Sequence, residues 1–150
     1  MQVKVKQTLN ASADKIWEIL RTFDKVETYI SMVTKTELVD QGVGSQRTCT
    51  AMNPDGSTSK IVEKLDYLND DEKTMKISII DGPLPLNSAV VTIKVGTLED
   101  NKTELEFDSI FDPKPGAEEE LKKGFQGVFQ VAAQGLEKLA NKNSDTNSKD

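Results

Sequence analysis

Arg47 and Glu63 are the two side chains of this 150-residue sequence that are best placed to do chemistry on a bound molecule. A turn over residues 53–57 contains a proline and a glycine, which favour a reversal of the chain between two strands. If residues 53 and 57 lie opposite each other, Arg47 lies opposite Glu63. Both residues then lie side by side on one face of a sheet, because successive side chains of a strand alternate between its faces.

The face that this register gives to Arg47 and Glu63 is otherwise apolar. Continued through the turn near residue 71, the register pairs Glu63 with Ile79. It also places Tyr67 opposite Met75, facing inward. The apolar side chains of this face are Cys49, Ala51, Ile61, Leu65, Met75, Ile77 and Ile79. A single buried charge is strongly unfavourable, so we expect the arginine and the glutamate to form an ion pair.

An arginine–glutamate pair on an apolar face has three interpretations. As a polar anchor in a ligand pocket, Arg47 would bind a carboxylate, phenolate or carbonyl group, and Glu63 would orient Arg47. As a catalytic pair, Glu63 would act as the general base. As a structural ion pair, the two residues would only set the register of the sheet, or lie at its solvent-exposed rim. The sequence leaves all three open.

Composition restricts the remaining chemistry. The chain has no histidine and a single cysteine, Cys49. This excludes an internal disulfide, a Ser-His-Asp triad and a Cys-His dyad within the chain. Because the commonest metal ligand and the commonest base are absent, we expect no metal and no cofactor, and binding is favoured over catalysis. The candidates for a general base besides Glu63 are Asp81, Tyr29 and Tyr67.

Charge and hydropathy indicate the class of partner. The chain has 25 acidic and 19 basic residues, for a net charge of −6, and an acidic surface repels phosphate backbones and anionic lipids. The N-terminus lacks the apolar run of a signal peptide, and no stretch is apolar enough for a transmembrane helix. We therefore expect a cytoplasmic protein whose partner is a small apolar molecule, with no nucleic acid and no membrane insertion. The oligomeric state is not indicated.

Alternating and helical patterns define the elements that position these residues. Residues 2–9 alternate as a half-buried strand. Ser12 or Asn10 then caps a first helix, and Asp24 caps a second short helix. Six further runs of period two, separated by turn residues, occupy residues 34–112. The sequence therefore predicts seven strands before its last element.

The last element is a long amphipathic helix. Three acidic residues from Glu118 suit the positive end of a helix dipole. The apolar stripe that follows at helical spacing comprises Leu121, Phe125, Val128, Phe129, Ala132, Leu136 and Leu139. The elements predict an α+β fold, a curved seven-stranded antiparallel sheet around a long C-terminal helix, with two short helices after the first strand. We expect one domain over residues 1–140 and a polar, disordered tail over residues 141–150.

Four motifs in this order resemble the helix-grip (SRPBCC) superfamily, which includes START lipid-transfer domains, birch-pollen-type allergens and plant abscisic acid receptors. The motifs are residues 13–20 (ADKIWEIL), 42–47 (GVGSQR), 63–66 (EKLD) and 81–86 (DGPLPL). The chain is most similar to the bacterial polyketide cyclase/dehydratase-like branch, to which the XoxI-type proteins belong. The resemblance implies a hydrophobic cavity between the sheet and the C-terminal helix, but no single reaction.

The resemblance and the register together predict which side chains line this cavity. The corner at residues 82–85 resembles a pocket-closing loop with Leu84 and Leu86 as apolar plugs, although two prolines also suit a rigid corner. Tyr29 and Met32 lie near the second helix, at another edge of the cavity. The complete predicted set is Arg47, Glu63, Tyr29, Met32, Tyr67, Met75, Ile77, Ile79, Leu84, Leu86, Phe107, Phe125 and Phe129.

These features lead to the hypothesis that the protein binds a small hydrophobic ligand, as a carrier or a sensor. The first alternative is a polyketide cyclase/dehydratase-like enzyme that uses Glu63 and Arg47. The second alternative is an interaction module whose core is filled and which takes no ligand. A cavity of less than about 300 Å³ would argue against both ligand-dependent hypotheses.

Overall fold

The computed structural model describes the backbone of residues 1–148 and the side chains of residues 1–142. Along the chain lie a strand, a helix, one turn of 3-10 helix, six strands and a long helix. Their bounds are β1 Gln2–Leu9, α1 Ala13–Arg21, the 3-10 turn Val26–Thr28, β2 Val33–Val39, β3 Gln46–Met52, β4 Thr58–Asn69, β5 Thr74–Asp81, β6 Leu86–Glu99, β7 Lys102–Pro113 and α2 Glu118–Ser148.

The seven strands form one antiparallel sheet in the order β1-β7-β6-β5-β4-β3-β2. This order confirms the predicted seven-stranded sheet, in which consecutive strands from β2 to β7 pair as hairpins and β1 pairs with β7. α2 packs against the inner face of the sheet, where the Phe129 ring stacks on Phe107 of β7 with centroids 4.8 Å apart. The curved sheet therefore has a dry inner face and a wet outer face.

Polar contacts tie α1 to the chain before it and to the sheet. The Ser12 side chain accepts a hydrogen bond from the backbone N–H of Lys15 at 3.2 Å, which confirms one of the two predicted caps. Trp17 donates through Nε1 to Asp70 in the β4–β5 turn at 2.8 Å. Arg21 donates to both carboxylate oxygens of Asp70, at 2.8 and 3.0 Å. One aspartate thus holds two residues of α1 against the turn between β4 and β5.

The second predicted helix is a single 3-10 turn over Val26–Thr28. Lys25, with a φ of 54°, precedes this turn in place of the predicted cap. Asp24 instead accepts a hydrogen bond from the Lys25 N–H through Oδ1. The chain after the turn packs directly on α2, because a Cβ added at Gly135 would overlap the carbonyl oxygen of Tyr29. Glycine is required there for this close approach.

The register of β3, β4 and β5 agrees with the prediction as far as Leu65. Arg47 lies opposite Glu63, Glu63 opposite Ile79, and Leu65 opposite Ile77. The turn at residues 53–57 predicts the pairing of β3 with β4, and the turn near residue 71 predicts the pairing of β4 with β5. Arg47 of β3 and Glu63 of β4 therefore lie side by side on the inner face.

The predicted inward position of Tyr67 is wrong. β4 has a bulge between Leu65 and Tyr67, which places Leu68 instead of Tyr67 opposite Met75. Tyr67 is 36% exposed, and its hydroxyl donates to Glu72 at 2.7 Å. A bulge adds one residue to one strand only, so it reverses the alternation beyond it without a clear sign in the period-two pattern.

α2 begins at Glu118, where the acidic residues predict its start. The stripe members that are almost fully buried are Leu121, Phe125, Phe129, Ala132 and Leu136. α2 extends to Ser148 and so includes the backbone of most of the predicted tail over residues 141–150, but the side chains of residues 143–150 lie outside the described part of the chain. Its disorder therefore stays a prediction.

Candidate ligand-binding cavity

A cavity of about 370 Å³ lies between the inner face of the sheet and α2. Pockets for small molecules usually have volumes of about 300–1,000 Å³. The walls come from β2 to β7, α1, the segment around the 3-10 turn and α2, and most of them are aliphatic or aromatic. The predicted residues that line the cavity are Arg47, Glu63, Tyr29, Met32, Ile77, Ile79, Leu84, Phe107, Phe125 and Phe129.

Three predicted residues, Met75, Leu86 and Tyr67, do not line the cavity. Met75 is fully buried in the solid part of the core, and Tyr67 is on the outer face beyond the bulge. Leu86 is half-buried at the start of β6, where it packs against the core. The corner before β6 reaches the cavity with Leu84 and Pro85 instead.

Glu120 is a charged residue of the cavity that was not predicted from the sequence. It lies in the first turn of α2, where the helix dipole already accounts for an acidic residue. Glu120, Gly124 and Val128 follow each other at intervals of four residues, on a row next to Phe125 and Phe129. That spacing is the signal that could have identified Glu120. The other lining residues outside the predicted set are Leu20, Val26, Ile30, Val33, Cys49, Ala51, Ile61, Pro85, Val91, Ile93, Leu121 and Ala132.

The cavity opens where α2 faces the corner between β5 and β6. Glu120 and Gly124 are exposed cavity residues on the helix side. Met32 is 37% exposed, and Leu84 and Pro85 are half-buried on the opposite side. These five residues form the mouth of the cavity, through which a ligand would enter.

The four candidate bases fall into two groups, those that line the cavity and those that do not. Asp81 accepts a hydrogen bond from the backbone N–H of Gly82 at 2.9 Å and does not line the cavity. Tyr67 is on the outer face. Glu63 and Tyr29 both line the cavity, so the structure brings only these two candidates to a bound molecule.

One polar cluster interrupts the apolar wall. Arg47 donates through Nε to Glu63 Oε1 at 2.8 Å, and the sulfur of Cys49 lies 3.9 Å from the same oxygen. The guanidinium carbon of Arg47 lies 4.1 Å from the centroid of the Phe23 ring, a cation–π contact. The side chains of Arg47 and Glu63 are 8% and 17% exposed. The predicted ion pair is therefore confirmed, and it is buried.

Burial and neighbouring charges set the protonation of the other members of this cluster. Burial raises the pKa of Tyr29, with the charge of Arg47 opposing the shift and that of Glu63 adding to it. Burial, followed by the charge of Glu63, raises the pKa of Cys49 to about 11. Burial alone would lower the pKa of Arg47, but the Glu63 carboxylate and other neighbours outweigh it and raise that pKa. At neutral pH the phenol and the thiol are uncharged and the guanidinium is charged.

Glu63 keeps one carboxylate oxygen available to a ligand. Both hydrogen bonds to its side chain end on Oε1, and Oε2 accepts none from the described residues. Glu63 is one of the residues that line the cavity. A molecule in the cavity can therefore donate a hydrogen bond to Oε2 without displacing Arg47.

The described residues contain neither a metal cluster nor a membrane span. Residues 1–142 hold no group of three or more metal-ligating side chains close enough to share an ion. In the same part of the chain, no helix is both long enough and apolar enough to cross a membrane.

Comparison with protein families identifies the group to which this chain belongs. The model of the polyketide cyclase / dehydrase and lipid transport family matches residues 1–141, so the chain is a member of that family. A curated relative is the abscisic acid receptor PYL2 of Arabidopsis thaliana, which is 31% identical over 81 residues. The match covers 52% of this chain and 42% of the receptor, so the chain spans less than half of the receptor's length.

Solved structures confirm the helix-grip architecture. XoxI from Bacillus cereus has a TM-score of 0.77 and 23% identity, over 92% of this chain and 94% of that chain. The aromatase/cyclase Zhui from Streptomyces sp. R1128 has a TM-score of 0.79 and 14% identity, over 96% of this chain and 95% of that chain. At these identities the likeness is one of fold.

Proposed function

We propose that this member of the polyketide cyclase / dehydrase and lipid transport family binds a small hydrophobic molecule in its cavity, as a carrier or a sensor. The observation that carries the proposal is a cavity of about 370 Å³ with apolar walls and an open mouth. A ligand there would remove apolar surface from water, which is worth ~25 cal/mol per Å². The relative PYL2 is named as a receptor for a small molecule, abscisic acid, which supports this function.

The polar cluster gives such a ligand a fixed orientation. Binding pockets are typically apolar, with a few polar groups that set the pose of the ligand. Here Arg47, Glu63 and Tyr29 form that polar part. We infer that the polar end of the ligand lies against them and that its apolar part extends between the sheet and α2.

Two glycine substitutions on α2 test the proposal. Gly124 lies at the mouth of the cavity, and a Cβ built on it has no atom within 4 Å, so Gly124→Phe adds a ring there without strain in the backbone. Gly127 also has no atom within 4 Å of a built Cβ, and it does not line the cavity, so Gly127→Phe is the matched control. Both changes remove a glycine from the helix interior, so their effects on helix stability are similar and at most ~1 kcal/mol each.

Native mass spectrometry of the freshly purified proteins measures the outcome. The wild type and Gly127→Phe are expected to carry a co-purified small molecule or to take up an added apolar probe such as 2-naphthol. Gly124→Phe is expected to bind the ligand at least about tenfold more weakly. At ligand concentrations well below Kd, this lowers the bound fraction by at least about 90%. Equal loading of the two variants would contradict binding in this cavity.

An enzymatic function is the second candidate, favoured by the free oxygen of Glu63. A general base must lie within hydrogen-bond reach of the bound substrate, and Glu63 is a carboxylate that lines the cavity with Oε2 available. The fold is shared with an aromatase/cyclase. Glu63→Gln would then abolish turnover of a polyketide-like ketone while binding persists. Unchanged turnover would remove Glu63 as the base.

The interaction-module alternative requires a filled core. Side chains would have to occupy the space between the sheet and α2, where the structure has a cavity of about 370 Å³. Of the three hypotheses, this alternative is therefore the one that the geometry supports least.

A further inference from the structure

We infer that the cavity selects uncharged ligands that carry a hydroxyl group, and that Glu63 is the residue that sets this selectivity. The inference deepens the proposed function and rests on it, because it names the chemical class of the ligand. It is carried by three features of the cavity, namely its charge, its free hydrogen-bonding atoms and its aromatic wall.

The charge of the cavity disfavours a carboxylate. The lining residues include one arginine, Arg47, and two glutamates, Glu63 and Glu120, for a formal net charge of −1. Arg47 lies deep in the cavity, but Glu63 already neutralises it at 2.8 Å. A ligand carboxylate that reached Arg47 would lie beside the Glu63 carboxylate. Repulsion between two like charges is large in a site that is mostly shielded from water.

A cationic ligand meets the converse obstacle. An ammonium group close enough to donate to Glu63 would lie beside the Arg47 guanidinium, which is 8% exposed and held over the Phe23 ring. Both signs of charge are therefore unfavourable at this point, although the cavity contains a full positive and a full negative charge. The pair acts on a ligand as a dipole and not as a counter-ion.

The free hydrogen-bonding atoms favour a hydroxyl group. Glu63 Oε2 is an acceptor that needs a donor from the ligand, because no described residue donates to it. Tyr29 keeps its phenolic proton and is a donor beside the Arg47 guanidinium, which donates to Glu63 through Nε and also interacts with the Tyr29 hydroxyl through a hydrogen bond. A hydroxyl group both donates and accepts, and can bond to Oε2 and to one of these donors together. A ketone or an ether lacks the proton, and a carboxylate has only acceptors.

The aromatic wall of the cavity favours a flat apolar body. Phe107 and Phe129 stack at 4.8 Å, and Phe125 lies 5.7 Å from Phe129, so three rings line one side of the cavity. Aromatic rings pack well against such a wall in offset or tilted arrangements. A two-ring aromatic compound with one hydroxyl substituent is therefore a suitable probe.

Three naphthalene derivatives with the same skeleton test the selectivity by isothermal titration calorimetry at neutral pH. The probes are 2-naphthol, which donates and accepts, 2-methoxynaphthalene, which only accepts, and 2-naphthoate, which is an anion. The wild type is expected to bind 2-naphthol about tenfold more tightly than 2-methoxynaphthalene, which is the usual effect of a hydrogen bond to a charged group. It is expected to bind 2-naphthoate most weakly.

Glu63→Gln is the decisive variant, because the amide keeps an acceptor for Arg47 but removes the negative charge. The affinity ratio of 2-naphthoate to 2-naphthol is expected to rise at least about tenfold, since Arg47 becomes a counter-ion for the carboxylate. Glu104→Gln is the matched control. Glu104 is an exposed residue of β7 outside the cavity, so its substitution makes the same change in net charge and leaves the ratio as in the wild type.

The outcomes separate this inference from the function on which it rests. If 2-naphthoate binds the wild type as tightly as 2-naphthol, or if Glu63→Gln and Glu104→Gln show the same ratio, the selectivity is wrong and ligand binding stands. If none of the three probes binds the wild type, the inference fails, and the proposed function is decided by the loading of Gly124→Phe against Gly127→Phe in native mass spectrometry. If Glu63→Gln does not fold, the order of the three affinities in the wild type decides the question.

Discussion

Two arginine–carboxylate pairs with the same nitrogen–oxygen distance lie in different regions of this protein. Arg47 Nε and Glu63 Oε1 are 2.8 Å apart on the inner face of the sheet, and Arg21 Nε and Asp70 Oδ1 are 2.8 Å apart where α1 meets the β4–β5 turn, which we call the outer pair. The side chains of the inner pair are 8% and 17% exposed, and those of the outer pair are 44% and 54% exposed. Equal geometry therefore occurs in two different dielectric environments.

The difference shows that environment, and not distance, assigns a role to an ion pair. Water screens the outer pair, so its electrostatic contribution to stability is small, and its main consequence is to tie α1 to the β4–β5 turn. The inner pair has lost most of its water, so each charge depends on the other. A ligand in the cavity meets the inner pair directly, whereas the outer pair faces solvent.

The largest effect is expected from removal of one charge of the inner pair. Glu63→Leu leaves the Arg47 guanidinium buried without its partner, which usually costs about 3–5 kcal/mol of the free energy of unfolding. Urea denaturation followed by circular dichroism measures this loss. Arg21→Met, at the outer pair, is expected to cost less, because Asp70 is exposed to water and keeps the hydrogen bond from Trp17.

The double variant Arg47→Met with Glu63→Leu is the control for this experiment. Replacement of a buried pair by apolar side chains of similar volume is often neutral or stabilising, so the double variant is expected to recover most of the loss. If Glu63→Leu costs no more than Arg21→Met, the difference in burial between the two pairs has no energetic consequence, which would contradict this comparison.

Acid is expected to act on the outer pair in a narrow range of pH. The hydrogen bond from Arg21, followed by that from Trp17, lowers the pKa of Asp70 to about 2. Because the folded-state pKa lies below the unfolded value of ~3.9, the stabilisation is fully present above the unfolded value and is lost as the pH falls through about 2. The melting temperature of Asp70→Asn should therefore approach that of the wild type as the pH is lowered over this range. A constant difference between the two proteins would contradict this linkage.

Salt is expected to have the smallest effect, and to distinguish the pairs. Double-mutant cycles with alanine measure the coupling energy within each pair at low salt and at about 1 M sodium chloride, where the Debye length is ~3 Å. The coupling of Arg21 with Asp70 should fall, since both side chains are exposed. The coupling of Arg47 with Glu63 should change less, because ions do not reach a buried pair as easily. An equal fall for both pairs would show that water screens the cavity wall as well.

Local patterns explain why the fold was predictable. Alternation and turn residues are properties of neighbours in the chain, so the seven strands and the long helix follow from them directly. The resemblance to the helix-grip superfamily came from motifs spread along the whole domain, and the family match over residues 1–141 confirms it. The cytoplasmic location and the lack of nucleic-acid binding depend on composition alone, and they stay predictions.

Errors occurred where local patterns meet an irregularity or an ambiguous residue. Tyr67 was assigned inward because the period-two pattern does not show the bulge in β4, which reverses the alternation of side chains beyond Leu65. Glu120 was missed because an acidic residue in the first turn of a helix has a sufficient explanation in the helix dipole. Leu86 and Met75 are apolar residues that pack in or against the core, and the sequence does not distinguish a solid core from a cavity wall.

The sequence by itself determined the order of the elements, the apolar inner face and the opposition of Arg47 to Glu63, because a turn of known length sets the register of the strands beside it. Only the tertiary structure decided that this pair is buried and that it borders a cavity of about 370 Å³. The physical reason is that a cavity is the space left between side chains from distant parts of the chain. Its volume depends on how closely α2 packs against the sheet.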